Sequence, residues 1–493
     1  MSFRYMSDGI RLHHQPHQGQ DGHGASAAPW LDSPQHSAIN TGDNSAGDGG
    51  NGFFSGTEVD AAVATFNPLN AALAGSHGTA DAHQSNMVQI DQHATQIAGV
   101  GGNGGNDNAA VGGNVSVLQP ASGSGDAWLD SGVLHTGANE AGNGGDGYFD
   151  GGIIQASLAV YEPINITVTA GYGSSAQADQ TNNVFFNQSA VQIAGIGGNG
   201  GNGNIASGGN ASISSGSGVI ATGDNNAGNG GEGHFSGTLV DAPVVIYDPI
   251  NIAVAAFGGT ADASQSNTVE IDQSAIQIAG VGGNGGNGNA AVGGNLSTPG
   301  SGSGSGNGGT HGELIQTGDS QAGNGGAGYF YGSLVHASFA LYDPVNIAVA
   351  GYNSNTYAGQ INNVDLNQSS HQAAGVGGNG GNGNAAVGGN GSIASAGFWG
   401  GSDAIATGAN GAGNGGSGHA SGTLIDVSVA IYAPINIAIA GPHSTAEADQ
   451  INNVQFDQSA VQIAGVGGEG GHGNVALGGD FATHLLSDLH LTA

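Results

Sequence analysis

Residues 265–277 read Gln-Ser-Asn-Thr-Val-Glu-Ile-Asp-Gln-Ser-Ala-Ile-Gln. Every second residue, from Gln265 through Asn267, Val269, Ile271, Gln273 and Ala275 to Gln277, falls on one face of an extended strand. That face recurs four more times, with last amides Gln92 and Gln96, Gln188 and Gln192, Gln368 and Gln372, and Gln458 and Gln462. A buried amide without a partner costs a few kcal/mol. Copies laid side by side in register solve this, because each amide meets its own kind, as in the Asn and Gln ladders of cross-β assemblies. The alternation predicts five equivalent layers joined by an amide ladder through these residues and Gln273 and Gln277.

Two further anchors keep the period. Thr-Gly followed by Ala-Gly-x-Gly-Gly starts at Thr41, Thr136, Thr222, Thr317 and Thr407. The proline of an aromatic-x-Pro-apolar-Asn element stands at Pro68, Pro163, Pro249, Pro344 and Pro434. The repeats therefore occupy 26–118, 119–214, 215–299, 300–392 and 393–480, between a His-rich tail (1–25) and an apolar tail (481–493). Length differences fall between the ladder of one copy and the Thr-Gly of the next. Those gaps, such as the Gly-Ser stretch 301–307, read as surface loops. Such self-similarity points to a repeat architecture.

Within the third copy, the apolar run Thr238 to Ala256 contains Pro243 and Pro249, which argue for strand edges, a bulge or two shorter strands. Gly258 to Ala261 turns the chain into the ladder strand, and Gly280 opens the triplets Gly282-Gly283-Asn284-Gly285-Gly286-Asn287. Three residues per turn is the period of polyproline II, and glycine at two of three positions lets such helices pack closely. A flexible loop is the alternative. Recurrence in one register after each ladder favours order. The fifth copy departs, with Glu469 and His472 in place of Asn. Helix is disfavoured throughout by glycine. The expected fold class is an all-β repeat protein of stacked layers with polyproline- or polyglycine II-like segments, a β-solenoid being the close alternative.

One residue in five is glycine, cysteine is absent, and two arginines, Arg4 and Arg11, oppose 36 acids for a formal charge of −34. Neutralising nucleic-acid phosphates needs Lys or Arg, so that partner is excluded, as is an anionic membrane surface. A lysine-free chain offers trypsin-like proteases little to cut, which suits life outside the cell. No segment is apolar for the length of a transmembrane helix. The first 30 residues lack the apolar centre of a signal peptide, so export is expected without a cleaved leader.

The Gly-Gly-Asn-Gly-Gly runs resemble the polymorphic glycine-rich repeats of mycobacterial surface proteins. The acidic, cysteine-free composition is similar to that of type I-secreted bacterial adhesins. These resemblances imply a bacterial cell-surface or extracellular repeat protein.

Catalytic constellations are missing. There is no thiol, and His234 and His419 match Tyr148 and Tyr329 in register, an exchange a catalytic histidine does not tolerate. An enzyme is not expected, and no cofactor is implied. The candidate cation holders are calcium at Asp43 and Asp48 or Asp146 and Asp150, and a transition metal at His13, His14, His17 and His23. Each has a plainer reading, as solvated acids and a polar tail. The C-terminal tail sets Phe481, Leu485 and Leu489 at helical spacing and reads as a cap or a secretion signal. With Trp30 near the start of the first repeat, these residues are the proposed subunit contacts. The functional expectation is an extracellular structural protein whose partners are copies of itself, joined head to tail into filaments or a biofilm matrix. The alternatives are a monomeric surface adhesin that binds cell-surface or matrix components, and an ice- or mineral-binding face.

Overall fold

The computed structural model describes residues 38–117, 132–213, 218–298, 314–395, 404–478 and 481–485. Trp30, Leu489, the histidine cluster and most of the Gly-Ser gaps lie outside them. The described residues contain no helix. Seven parallel sheets of five strands each run the length of the molecule, and every strand pairs with its equivalents in the neighbouring repeats. The fold is a five-coil parallel β-solenoid. Each repeat is one coil, and chemically matched residues stack in columns about 4.8 Å apart.

Each coil is a flattened loop of two layers, and the second shows why. Its first layer runs through strands Gly132–Thr136, Asn139–Ala141, Gly147–Tyr161 and Ile164–Ala170. The chain turns at residues 171–174 and returns through Ser175–Ile196, Ile205–Ser207 and Ala211–Ile213. The layers face each other along their length. Asn165 donates to Ala178 O, Tyr161 OH donates to Asn182 Oδ1, and Gly201 N donates to Gly142 O. Tyr161 and Ile164 therefore belong to one nearly continuous layer, broken only at Glu162 and Pro163.

The proline expectation resolves into two cases. Pro249 falls in the break between Gly233–Tyr247 and Ile250–Ala256, which gives two shorter strands. Pro243 lies within the first of these strands. There it has no amide hydrogen to offer, and pairing with the fourth coil skips Ala242 and Pro243.

Between the layers lie stacked rings and stacked amides. Phe54, Phe149, Phe235 and Phe330 pile up at centroid separations of 5.0–5.1 Å. Phe66, Tyr161, Tyr247, Tyr342 and Tyr432 do so at 5.0–5.5 Å. Val184 and Phe186 with their equivalents fill the space beside the tyrosines. Outside, Tyr148, His234, Tyr329 and His419 form a third column at 4.6–5.2 Å. That column accounts for the exchange of His and Tyr, since either flat ring satisfies the stack.

The glycine triplets form a narrow neck with a three-residue bonding cycle. Gly197 N donates to the next coil at Val281 O, Gly198 N donates across the neck to Gly145 O, and Asn199 N donates to the Asn103 side chain. The cycle repeats at Gly200, Gly201 and Asn202, with Asn284 O, Gly142 O and Asn106 Oδ1 as acceptors. Bonds in three directions with period three are what close-packed extended glycine helices permit and a sheet does not. A Cβ on Gly198 would stand 2.0 Å from Gly102 O, so the second glycine is obligatory. Gly195, next to last in the ladder strand, sits at φ +63°, where a Cβ would also lie 2.2 Å from His234 O.

Candidate functional site at the two open ends

The amide columns have a direction. Gln188 Nε2 donates down to Gln92 Oε1 at 2.7 Å and Gln192 to Gln96 at 3.1 Å. Gln273 and Gln277 donate to Gln188 and Gln192 at 2.8 Å, and Gln368 and Gln372 to Gln273 and Gln277 at 2.8 Å. Gln458 and Gln462 then bond Gln368 and Gln372. In the middle coils these glutamines are buried, with Gln192, Gln273 and Gln277 at 0% exposure.

The asparagine columns run the other way. Asn86 Nδ2 donates up to Asn182 Oδ1 at 2.7 Å, and the series continues through Asn267 and Asn362 to Asn452. Asn70, Asn165, Asn251, Asn346 and Asn436 form a parallel series at 2.9–3.0 Å, which also bonds backbone carbonyls of the ladder strands. This second asparagine column was missed as a ladder in the sequence. Its signal was the Asn that follows each repeat proline by two residues.

Opposed directions make the two ends complementary. Gln96 Nε2 at the bottom of the stack is buried without an acceptor. At the top, Gln462 Oε1 is where the next donor in that column would bond, since Gln462 Nε2 already points down to Gln372. The asparagines reverse this, leaving acceptor oxygens at Asn70 and Asn86 below and donor nitrogen at Asn452 above. Inward apolar side chains accompany them. Phe66, in the column of buried Tyr161, is 43% exposed in the first coil, and Phe456, in the column of buried Phe186, is 45% exposed in the fifth.

The acids follow the same columns. Burial first, then Asp60, raises the Glu58 carboxyl above its ordinary value. Glu58 occupies the first-coil position of a column that continues as Ile153, Leu239, Leu334 and Leu424. Asp48 Oδ1 accepts from Asn143 N at 2.7 Å, and Asp146 Oδ1 from Glu232 N at 2.8 Å, so these acids bond the next coil. Ala138 N donates to Asp43 Oδ1 at 2.9 Å in the same manner. Among the described residues no group of three His, Asp or Glu is arranged to hold a metal. No described helix is long and apolar enough to cross a membrane.

The proposed terminal contacts separate. Phe481–Leu485 is an extended strand, paired from Gly391↔Phe481 to Ser395↔Leu485 as the last member of a regular sheet. The regular sheet thus continues past residue 480. Strand pairing with the coil below overrides a pattern of three leucine-like residues too short to fix a helix. Comparison with family models, with curated proteins and with solved structures gives no match.

Proposed function

We propose that the chain is an extracellular structural protein that adds head to tail, the fifth coil of one copy carrying the first coil of the next. The observation that carries this reading is the complementarity of the ends. Gln96 lacks an acceptor where Gln462 of another copy would supply one, and the asparagine columns fit with the reverse polarity. The columns also match in type from fifth coil to first, as with Tyr432 and Phe66, Asn452 and Asn86, or Gln458 and Gln92. Stacking in register continues every ladder and covers the exposed strand edges that soluble proteins otherwise protect. The contact is heterologous, and because it adds each copy along the solenoid axis rather than around a closed ring, it generates a filament.

The absence of cysteine makes a direct test available. Ser85 and Ile451 belong to one column through Thr181, Ser266 and Ile361, so in a single molecule they lie four coils apart. Across the joint they become neighbours at about 4.8 Å, within disulfide reach. The double variant Ser85→Cys/Ile451→Cys should give, on oxidation, a ladder at multiples of 47.6 kDa without reductant. Pairing Ser85→Cys with Val461→Cys, five columns away, should not. A monomer band alone from the in-register pair, together with dispersed particles by electron microscopy, would reject the filament in favour of a monomeric adhesin.

A further inference from the structure

The two broad faces of the solenoid differ in chemistry. Along the ladder strand of the third coil, the residues turned outward include Asp262, Ser264, Ser266, Thr268, Glu270 and Asp272. Opposite them, the outward residues include Val240, Val244, Ile246, Ile250, Ile252 and Val254. In Ile250–Ala256 the usual arrangement is inverted. Asn251, Ala253 and Ala255 are buried, while the larger apolar side chains face out. The other coils repeat this, with Ile164, Ile166 and Val168 outside and Asn165, Thr167 and Thr169 within.

Parallel strands that read as near-continuous apolar runs are normally covered on both faces. At about 3.3 Å per residue and about 4.8 Å per strand, this face covers roughly 1,200 Å². Monomeric proteins seldom expose a contiguous apolar patch beyond a few hundred Å². We propose that the face formed by 59–73 and its equivalents is a lateral interface on which a second copy of this chain packs, sheet against sheet.

Two observations favour a second copy as occupant. Pairing two such faces buries roughly 2,400 Å², above the approximately 1,600 Å² of a standard stable interface. The outward side chains form a lattice with the strand spacing in one direction, and another face of the same lattice can meet it row for row, as in a dry steric zipper. The face also has an acidic row near its middle, Glu162, Asp248 and Asp343, and no described residue is Lys or Arg.

The same row makes the pairing acid-dependent. Oδ1 of Asp248 and of Asp343 is buried without a partner. Burial, then Asp343 and Glu162, pushes Asp248 up to about 6. Beneath the row, Gln265 and Gln360 offer only amides, to Pro163 O and Pro249 O. Tyr247, the adjacent inward residue, stays neutral because burial raises its phenol. Covering the row disfavours its charged form further, so pairing draws protons.

Mass per length by scanning transmission electron microscopy tests this on the full chain at pH 5 and pH 8. The wild type should show twice the single-solenoid value at pH 5. Val244→Lys/Ile252→Lys should halve it, and Thr268→Lys, on the polar face, should leave it doubled. Circular dichroism should show all three chains folded, since the altered side chains point outward. A single-solenoid value for wild type at pH 5, or a doubled value for the lysine pair, overturns the proposal. Binding to neutral phosphatidylcholine vesicles without doubled mass assigns the face to lipid and also overturns it. If no filaments form, light scattering separates the two ideas. A dimer lost in the lysine variant keeps the lateral face and removes the head-to-tail joint, whereas a monomer at both pH values removes both.

Discussion

His336 Nδ1 lies 2.9 Å from Asp241 Oδ2 in the interior of the solenoid, both side chains almost fully excluded from solvent. They occupy one column, Asp60, Gln155, Asp241, His336 and Asp426, in adjacent coils. Burial raises Asp241 above its ordinary 3.8, while the hydrogen bond and charge of His336 pull it back. A carboxyl with a raised folded-state pKa carries a penalty at pH above that pKa, and the penalty disappears as pH falls toward 3.8. His336→Leu should therefore destabilise the fold by about 3 kcal/mol at pH 8. The loss should shrink on acidification. Denaturant melts across that range measure it, and a pH-independent loss would show that packing alone is involved.

The ladder can be cut one rung at a time. Gln188→Leu removes a donor to Gln92 and an acceptor for Gln273, and Gln192→Leu does the same between Gln96 and Gln277. Each should destabilise by on the order of 1–3 kcal/mol, because two buried amides lose a partner. Urea unfolding with an unchanged m-value is the readout. Asn187→Ala, on the outer surface of the same strand, should be near neutral.

The neck distinguishes its two glycines from its asparagine. Gly283→Ala places a Cβ 2.0 Å from Gly198 O, which no rotamer relieves. A loss of about 3 kcal/mol is expected from forced separation of the packed segments. Asn284→Ala removes only the cap on Asn379 N, an exposed bond, and should cost under about 1 kcal/mol. Equal losses from the two variants would mean that the neck is loose enough to accept a Cβ.

Head-to-tail addition should be favoured by acid. In-register stacking sets Asp60 over Asp426, Asp81 over Glu447 and Asp91 over Asp457, and covers Glu58 with Leu424. Each pair of like charges about 4.8 Å apart disfavours double ionisation. Glu58 is already raised in the free chain, so burial at the joint shifts it further in the same direction. Elongation, followed by light scattering, should accelerate as pH falls from 7 toward 5. Glu58→Gln/Asp60→Asn should move the onset to higher pH. Salt should help in the wild type by screening.

Much of this architecture is legible in the chain. Period two in Gln265–Gln277, repeated five times, fixes a strand, its buried face and its register, because a one-residue slip would put every amide on the wrong side. Period three in Gly282–Asn287 announces a non-sheet geometry. What the chain left open is direction and partner. Whether Gln192 donates to Gln96 or the reverse depends on how the carbonyls of the facing layer are placed, and Val240 O settles it by taking the second Gln192 proton at 2.9 Å. The run from Leu239 to Ala256 shows apolar residues on both faces, and alternation alone does not say which packs inward. The tertiary structure decided that. Asn251 reaches the carbonyls of Ala263 and Gly359 and so must lie inside, which turns Ile250 and Ile252 out.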